Sequence, residues 1–408
     1  MTGEERNSAF IAGNRLEYGR DYDFLDFPTP AQASAAHTER AALLLWLWEN
    51  AEFGCSDTKV DSRRLSPGCQ RCAAGAWSCL FINGRCNAAC FYCPTSQDET
   101  DGPLSNGIPF DTPEDYAEYV ALFGFTGVSI SGGEPLLTLD RTLAYIDAVR
   151  RRCGDAVHIW LYTNGTLLTR ETASALHDAG LGEIRFDIGA TRYDLTKLRL
   201  AVGIIPTVTV EIPAVPEEEE LLREKLMEMA AAGVQHLNLH QMRLTPYNLR
   251  HLASRAYTFI HGEKVTVLES ELTALRLVRF AIEYGVDLPV NYCSFPYKRR
   301  FQHAAARRRG IQYIQKADDN VTDVGYLRSL SAGHVQYFEA VTLPADSSRH
   351  SAAAITLPSG RRIVVEKRPV SPLIPVAPTF FTDFPPRATL PDELGDYERI
   401  QIGLAEYF

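Results

Sequence analysis

From about residue 75 onward the chain alternates short apolar runs suited to strands with longer runs suited to helices, and this alternation narrows its possible folds more than any other feature. The strand candidates are 78–83, 127–131, 158–163, 183–188, 206–212 and 236–241. The helix over 140–153 should stop at Gly154 and that over 169–179 at Gly180, because glycine is the residue that closes helices most cheaply. Pro216 followed by Glu217, Glu218, Glu219 and Glu220 predicts a helix start, where negative charge meets the positive end of the dipole. A helix over 271–284 carries Leu272, Leu275, Val278 and Ile282 at helical spacing and ends at Gly285. Six strands, each followed by a helix, imply parallel pairing with right-handed crossovers, which puts chemistry beyond the C-terminal strand ends.

The polar motifs fall at those ends. Cys86, Cys90 and Cys93 follow the first strand as C-x3-C-x2-C, Gly132-Gly133-Glu134-Pro135 follow the second, and Asn164 follows the third. Three thiolates in eight residues can hold an iron–sulfur cluster or, with a fourth ligand elsewhere, a zinc ion. A cluster with four irons and three cysteines keeps one iron open, and an open position is what makes a metal centre reactive.

Composition bounds the partners. Net charge is −10, which argues against nucleic-acid binding, and 45% hydrophobic residues suffice for a large core. Nine cysteines, seven of them between Cys55 and Cys93, suit metal binding in a reducing cytoplasm better than a disulfide framework. The start of the chain is polar and acidic, unlike a signal peptide, and no run is long enough to span a membrane.

The three motifs in this order resemble the radical S-adenosylmethionine (SAM) superfamily over roughly residues 78–295. The resemblance implies a partial (β/α)6 TIM-like barrel over 78–330. Ahead of it lies a helical, cysteine-rich segment (1–77), and after it a small β-rich C-terminal extension (331–408) that could help close the barrel mouth. Cys86, Cys90 and Cys93 would ligate a [4Fe–4S] cluster whose fourth iron binds SAM. Reductive cleavage would then give a 5′-deoxyadenosyl radical that abstracts hydrogen from a small-molecule or peptide substrate in a biosynthetic or modification pathway. Carried over by position, Gly132, Gly133, Glu134 and Pro135 would cradle SAM, with Glu134 accepting from its ammonium. Tyr92 would lie near the adenine, and Asn164, Asp187 and Glu211 would serve the ribose and methionine. Tyr92 can also be read as a core aromatic and Asp187 as a structural acceptor; His236 and His240 read as packing groups. The family's electron donor is reduced flavodoxin or ferredoxin. Its glycyl-radical-enzyme activases are usually shorter and lack a β-rich tail, so that role is the weaker reading.

Cys69, Cys72 and Cys79 stand just upstream, with Cys55 or Cys293 available as a fourth ligand. An auxiliary iron–sulfur cluster, a zinc or single-iron site, and unligated core cysteines all remain open for them. Cys153, in the last turn of its helix, reads as a packing residue. The basic run from Lys298 to Arg309 reads either as a solvated helix face or as a rim for an anionic substrate or an acidic partner. A non-catalytic zinc or iron–sulfur binding protein is the contrasting class.

Overall fold

The structure is a computed structural model, and it describes residues 3–55, 57–97, 102–322, 325–331, 334–345 and 353–369. All six expected strands form: Trp77–Phe81, Gly127–Ser131, His158–Thr163, Glu183–Phe186, Thr207–Pro213 and His236–His240. A seventh, Val290–Cys293, continues the series, and the seven lie side by side in chain order, every neighbouring pair parallel. They are called the first to seventh strands below. They carry a large apolar core, with Leu80, Val128, Ile159, Leu161, Ile184, Val210, Leu237 and Leu239 each fully buried. Such near-continuous apolar strands are what a parallel sheet covered on both faces requires.

Helices Leu139–Cys153, Arg170–Asp178, Glu219–Ala232 and Leu268–Glu283 follow the second, third, fifth and sixth strands. Thr169 caps its helix by accepting from the Thr172 amide, and Gly233, at φ +88°, ends the helix that the glutamate run opens.

The stretch before residue 77 is part of this same body. Lys59–Val60 pairs antiparallel with the seventh strand, with Lys59 opposite Cys293, and Phe53–Gly54 pairs in turn with it. Helix Pro30–Asn50 packs on Leu268–Glu283 through a buried Arg40–Glu271 ion pair at 3.0 Å. At the other edge the first strand is flanked by Leu104–Ser105 and Ile108–Pro109, so the sheet has two open edges and the barrel is partial.

After residue 320 a separate five-stranded antiparallel sheet forms, with Arg362–Pro369 between His334–Pro344 and Ala353–Thr356. It docks beside the barrel. Ser359 donates to the Asp115 carboxylate at 2.5 Å and Arg361 to the Pro109 carbonyl at 2.5 Å. None of its described residues is among those that line the cavity at the strand ends. Residues 370–408, whose sequence reads as a proline-rich stretch followed by a short helix over about 392–406, lie outside the described residues.

Candidate active site

The C-terminal ends of the strands curl around a cavity of about 340 Å³. Residues from all of the first six strands or the loops after them line it: Phe81, Ser131, Thr163, Asp187, Glu211 and His240. Phe295 and Lys298, which follow the seventh strand, close the circle. Cys86, Cys90 and Cys93 all open onto this one space, half-buried. The loop that carries them is tied in place by its backbone, Cys93 N–H to the Cys90 carbonyl at 3.0 Å and Cys86 N–H to the Gln97 carbonyl at 3.0 Å. Burial first, and the nearby Asp187 charge next, push the Cys90 thiol up to about 12, so it keeps its proton until a cation displaces it.

Asn164 stitches the loop to the third strand. Its Nδ2 donates to Asn87 Oδ1 at 2.8 Å and reaches Cys86 Sγ at 3.8 Å, while its Oδ1 accepts from Thr166. Tyr92 lines the cavity and donates its hydroxyl to Asp187 Oδ1 at 2.8 Å. Burial raises the Asp187 carboxyl to about 6 despite that bond and those from the Gly189 and Ala190 amides.

Gly132 and Gly133 line the cavity on one side, and on the other the chain itself comes close to them. A Cβ on Gly132, whose φ is +135°, would lie 2.3 Å from the Asn83 carbonyl oxygen, and one on Gly133 would lie 2.0 Å from that of Arg85. The amides of Gly133 and Glu134 donate to these same two oxygens, at 2.8 and 2.7 Å, which fixes the cysteine loop against the second strand. Glu134 is fully buried, and its carboxylate already accepts from the Leu136 amide, the Asn164 amide and the Thr163 hydroxyl. Its carboxylate ties its own turn to the end of the third strand and is not among the groups that line the cavity; Pro135 is buried beside it.

Glu211 lines the cavity but is bound from below. Arg185 donates to it at 2.6 Å and Asn238 at 3.0 Å, and that pairing outweighs burial to hold its carboxyl near 2. Arg185 also donates to Glu183 at 2.8 Å, stacks on Trp160 and Tyr162, and reaches Cys69 Sγ at 3.7 Å. This buried Glu183–Arg185–Glu211 network was not foreseen. The available signal was a pair of charges two residues apart in an otherwise apolar central strand, which places both on one face.

Two cations, Arg243 and Lys298, also line the cavity, together with His240 and His303. Burial, then Lys298, pushes His240 down to about 3, so it is a neutral imidazole there. The basic run therefore divides: Lys298 turns to the cavity, whereas Arg307 stacks on Tyr326 in the C-terminal sheet at 3.9 Å. His236 is partly buried away from the cavity.

Of the other cysteines, Cys79 pairs with Ser129 across the first two strands, and Cys153 contacts the Ala117 carbonyl outside the barrel. Cys293 Sγ lies 2.7 Å from the buried Lys59 ammonium, and Cys55, Cys69 and Cys72 stand near enough to interact with Lys59 electrostatically. Among the described residues no three His, Cys, Asp or Glu side chains close on a point that would hold a single metal ion. Among the described residues no helix is long and apolar enough to cross a membrane.

Comparison with known proteins adds a family to this geometry. The model of the radical SAM superfamily matches residues 80–202. A protein of Methanocaldococcus jannaschii, provisionally named a glycyl-radical enzyme activating enzyme, is 30% identical over 277 residues, covering 65% of this chain and 72% of that protein. A GTP 3′,8-cyclase of Synechococcus is 34% identical over 118 residues, 27% of this chain and 33% of the cyclase, so the chain spans about a third of it. Among solved structures, SuiB of Streptococcus suis aligns with a TM-score of 0.37 at 13% identity, over 53% of this chain and 49% of SuiB.

Proposed function

This chain belongs to the radical SAM superfamily, whose enzymes use a [4Fe–4S] cluster and SAM, and we propose that its strand-end cavity is where that chemistry takes place. The observation that carries the proposal is the opening of all three loop thiols onto the one cavity that also holds Asp187, Asn164 and the glycine pair. The donor set suits the cofactors: three soft sulfur ligands for iron, with polar strand-end groups beside them for a nucleoside and an amino acid. When bound, the cluster and SAM supply a 5′-deoxyadenosyl radical that takes a hydrogen atom from the substrate.

The chain's own residues hold and orient. Cys86, Cys90 and Cys93 are the iron ligands. Tyr92 and Asp187, joined by their hydrogen bond, form the wall for the nucleoside, with the Asp187 carboxylate accepting from ribose hydroxyls. Gly132 and Gly133 offer backbone to the methionine end, and Asn164 keeps Cys86 in register with the third strand. Glu134 acts one layer back, by fixing Asn164. Arg243 and Lys298 line the same cavity and suit an anionic group on the substrate, on a small molecule or a peptide.

A second reading is activation of a glycyl-radical enzyme. It is favoured by the likeness to the Methanocaldococcus protein, which runs through 65% of the chain. Reconstituting the protein anaerobically with iron and sulfide, then adding a strong reductant and SAM, tests the first proposal. 5′-Deoxyadenosine should form, and a reconstituted, folded protein that forms none refutes it.

A further inference from the structure

Four cysteines from three distant parts of the chain meet near the buried Lys59. Cys69 and Cys72 lie on helix Pro67–Ala73, Cys293 ends the seventh strand, and Cys55 sits in the turn between the two edge strands. Their thiols interact electrostatically with one another, with Lys59 and with the Tyr297 ring between them. The surroundings are built rather than incidental. Gly68 lets the helix dock on the barrel base, since a Cβ there would lie 2.4 Å from Arg185 Nη2 and 2.9 Å from the Glu183 carboxylate. The Gly68 amide donates to that carboxylate at 2.8 Å.

Two buried polar groups, the Lys59 ammonium and the Tyr297 hydroxyl, lie against these cysteines. The Tyr297 hydroxyl is buried at 1% exposure and approaches the Cys72 thiol. Lys59 is fully buried; its Nζ lies 2.7 Å from Cys293 Sγ, donates to Asn291 Oδ1, sits 4.7 Å from the Tyr297 ring centre and meets no carboxylate among the described residues. A buried ammonium and a buried hydroxyl both call for anionic acceptors, and thiolates bound to metal, with sulfide, supply them.

We propose that Cys55, Cys69, Cys72 and Cys293 ligate a second iron–sulfur cluster, with Lys59 and Tyr297 as hydrogen-bond donors to its sulfur. Four cysteine ligands suit an iron–sulfur cluster, whose sulfides would give Lys59 and Tyr297 further acceptors. Cys79, on the first strand opposite Ser129, is not a ligand. With all four positions cysteinyl the cluster has no open iron, so it does not bind substrate and differs in kind from the loop of Cys86, Cys90 and Cys93.

The test is metal and acid-labile sulfide analysis of the full chain after anaerobic reconstitution, in a variant with Cys86, Cys90 and Cys93 all replaced by alanine. The proposal expects about four irons and about four sulfides to remain per chain. It also expects Cys79→Ala to leave that content unchanged and Cys69→Ala with Cys72→Ala to remove it, each variant being checked for fold by circular dichroism. Lys59→Met keeps the ligands and should alter the visible and electron paramagnetic spectra of the remaining cluster. No iron in a folded triple variant, or zinc without sulfide, overturns the proposal. Because the count is made without the loop cysteines and without SAM, its failure leaves the proposed reaction standing.

Discussion

The two cysteine groups of this molecule are built on opposite plans. Cys86, Cys90 and Cys93 lie within eight residues on one loop, half-buried and open to the cavity. Cys55, Cys69, Cys72 and Cys293 come from elements up to 238 residues apart and stand near the buried Lys59. Reactivity needs an exposed, partly liganded metal, and a loop provides it at little cost to the fold. A closed site needs ligands fixed by the scaffold, and the scaffold in turn comes to depend on its surroundings. Losses in the loop group should therefore appear in activity, and losses around the Lys59 group in stability.

The largest effect expected is from alanine at Cys86, Cys90 and Cys93 together: 5′-deoxyadenosine formation falls to background while the apo protein's melting temperature moves little. A large fall in melting temperature would break the contrast. Next comes Arg185→Ala, which strands Glu183 and Glu211 without their counter-ion in the barrel interior. Leaving buried carboxylates unpaired costs about 3–5 kcal/mol. Denaturant unfolding should show it, and a loss under 1 kcal/mol (about a fivefold change in the folding equilibrium) would mean the network is not structural.

Gly133→Ala stands between the two groups, since its Cβ would press on the Arg85 carbonyl oxygen at 2.0 Å and push the cysteine loop from the second strand. A stability loss of about 2–3 kcal/mol is expected, together with a lower iron content. A variant as stable and as iron-rich as the parent would show that the loop tolerates displacement.

The smallest effect is one of pH. Burial, the largest cause, raises the Asp187 carboxyl from 3.8 to about 6. The folded chain therefore binds more protons than the unfolded one between those values, and the stability this group contributes is lost as pH rises through about 6. SAM binding runs the other way, because only the carboxylate accepts fully from ribose hydroxyls. Affinity, read by calorimetry, should fall as pH drops below about 6, by up to about tenfold per unit. Asp187→Asn should bind more weakly and lose this dependence; an unchanged profile would remove Asp187 from the nucleoside wall.

The strand series and the loop group were legible because their signals are local. Alternation, glycine stops and a C-x3-C-x2-C loop are all read within a few residues, and all six predicted strands form within two residues of their expected bounds. The seventh strand, four residues long, was too short to stand apart from the segment that carries Cys293. The Lys59 group was half legible. The C-x2-C of Cys69 and Cys72 announced a site, but which cysteines complete it depends on Lys59 pairing with Cys293 across 234 residues of chain. Cys79 looked like a third ligand by spacing, and the strand it lies on sets it opposite Ser129, which no local pattern announced. For Glu134, a motif does not announce that three neighbouring donors already meet the carboxylate.

The most direct test of the account compares three reconstituted proteins under the same reductant: the unsubstituted chain, Cys90→Ala, and Cys153→Ala, whose thiol contacts only the outer helix layer. The amount of 5′-deoxyadenosine formed per chain is the measurement. The account predicts formation by the first and third and none by the second. Formation undiminished in Cys90→Ala, or absent from the unsubstituted chain, contradicts it.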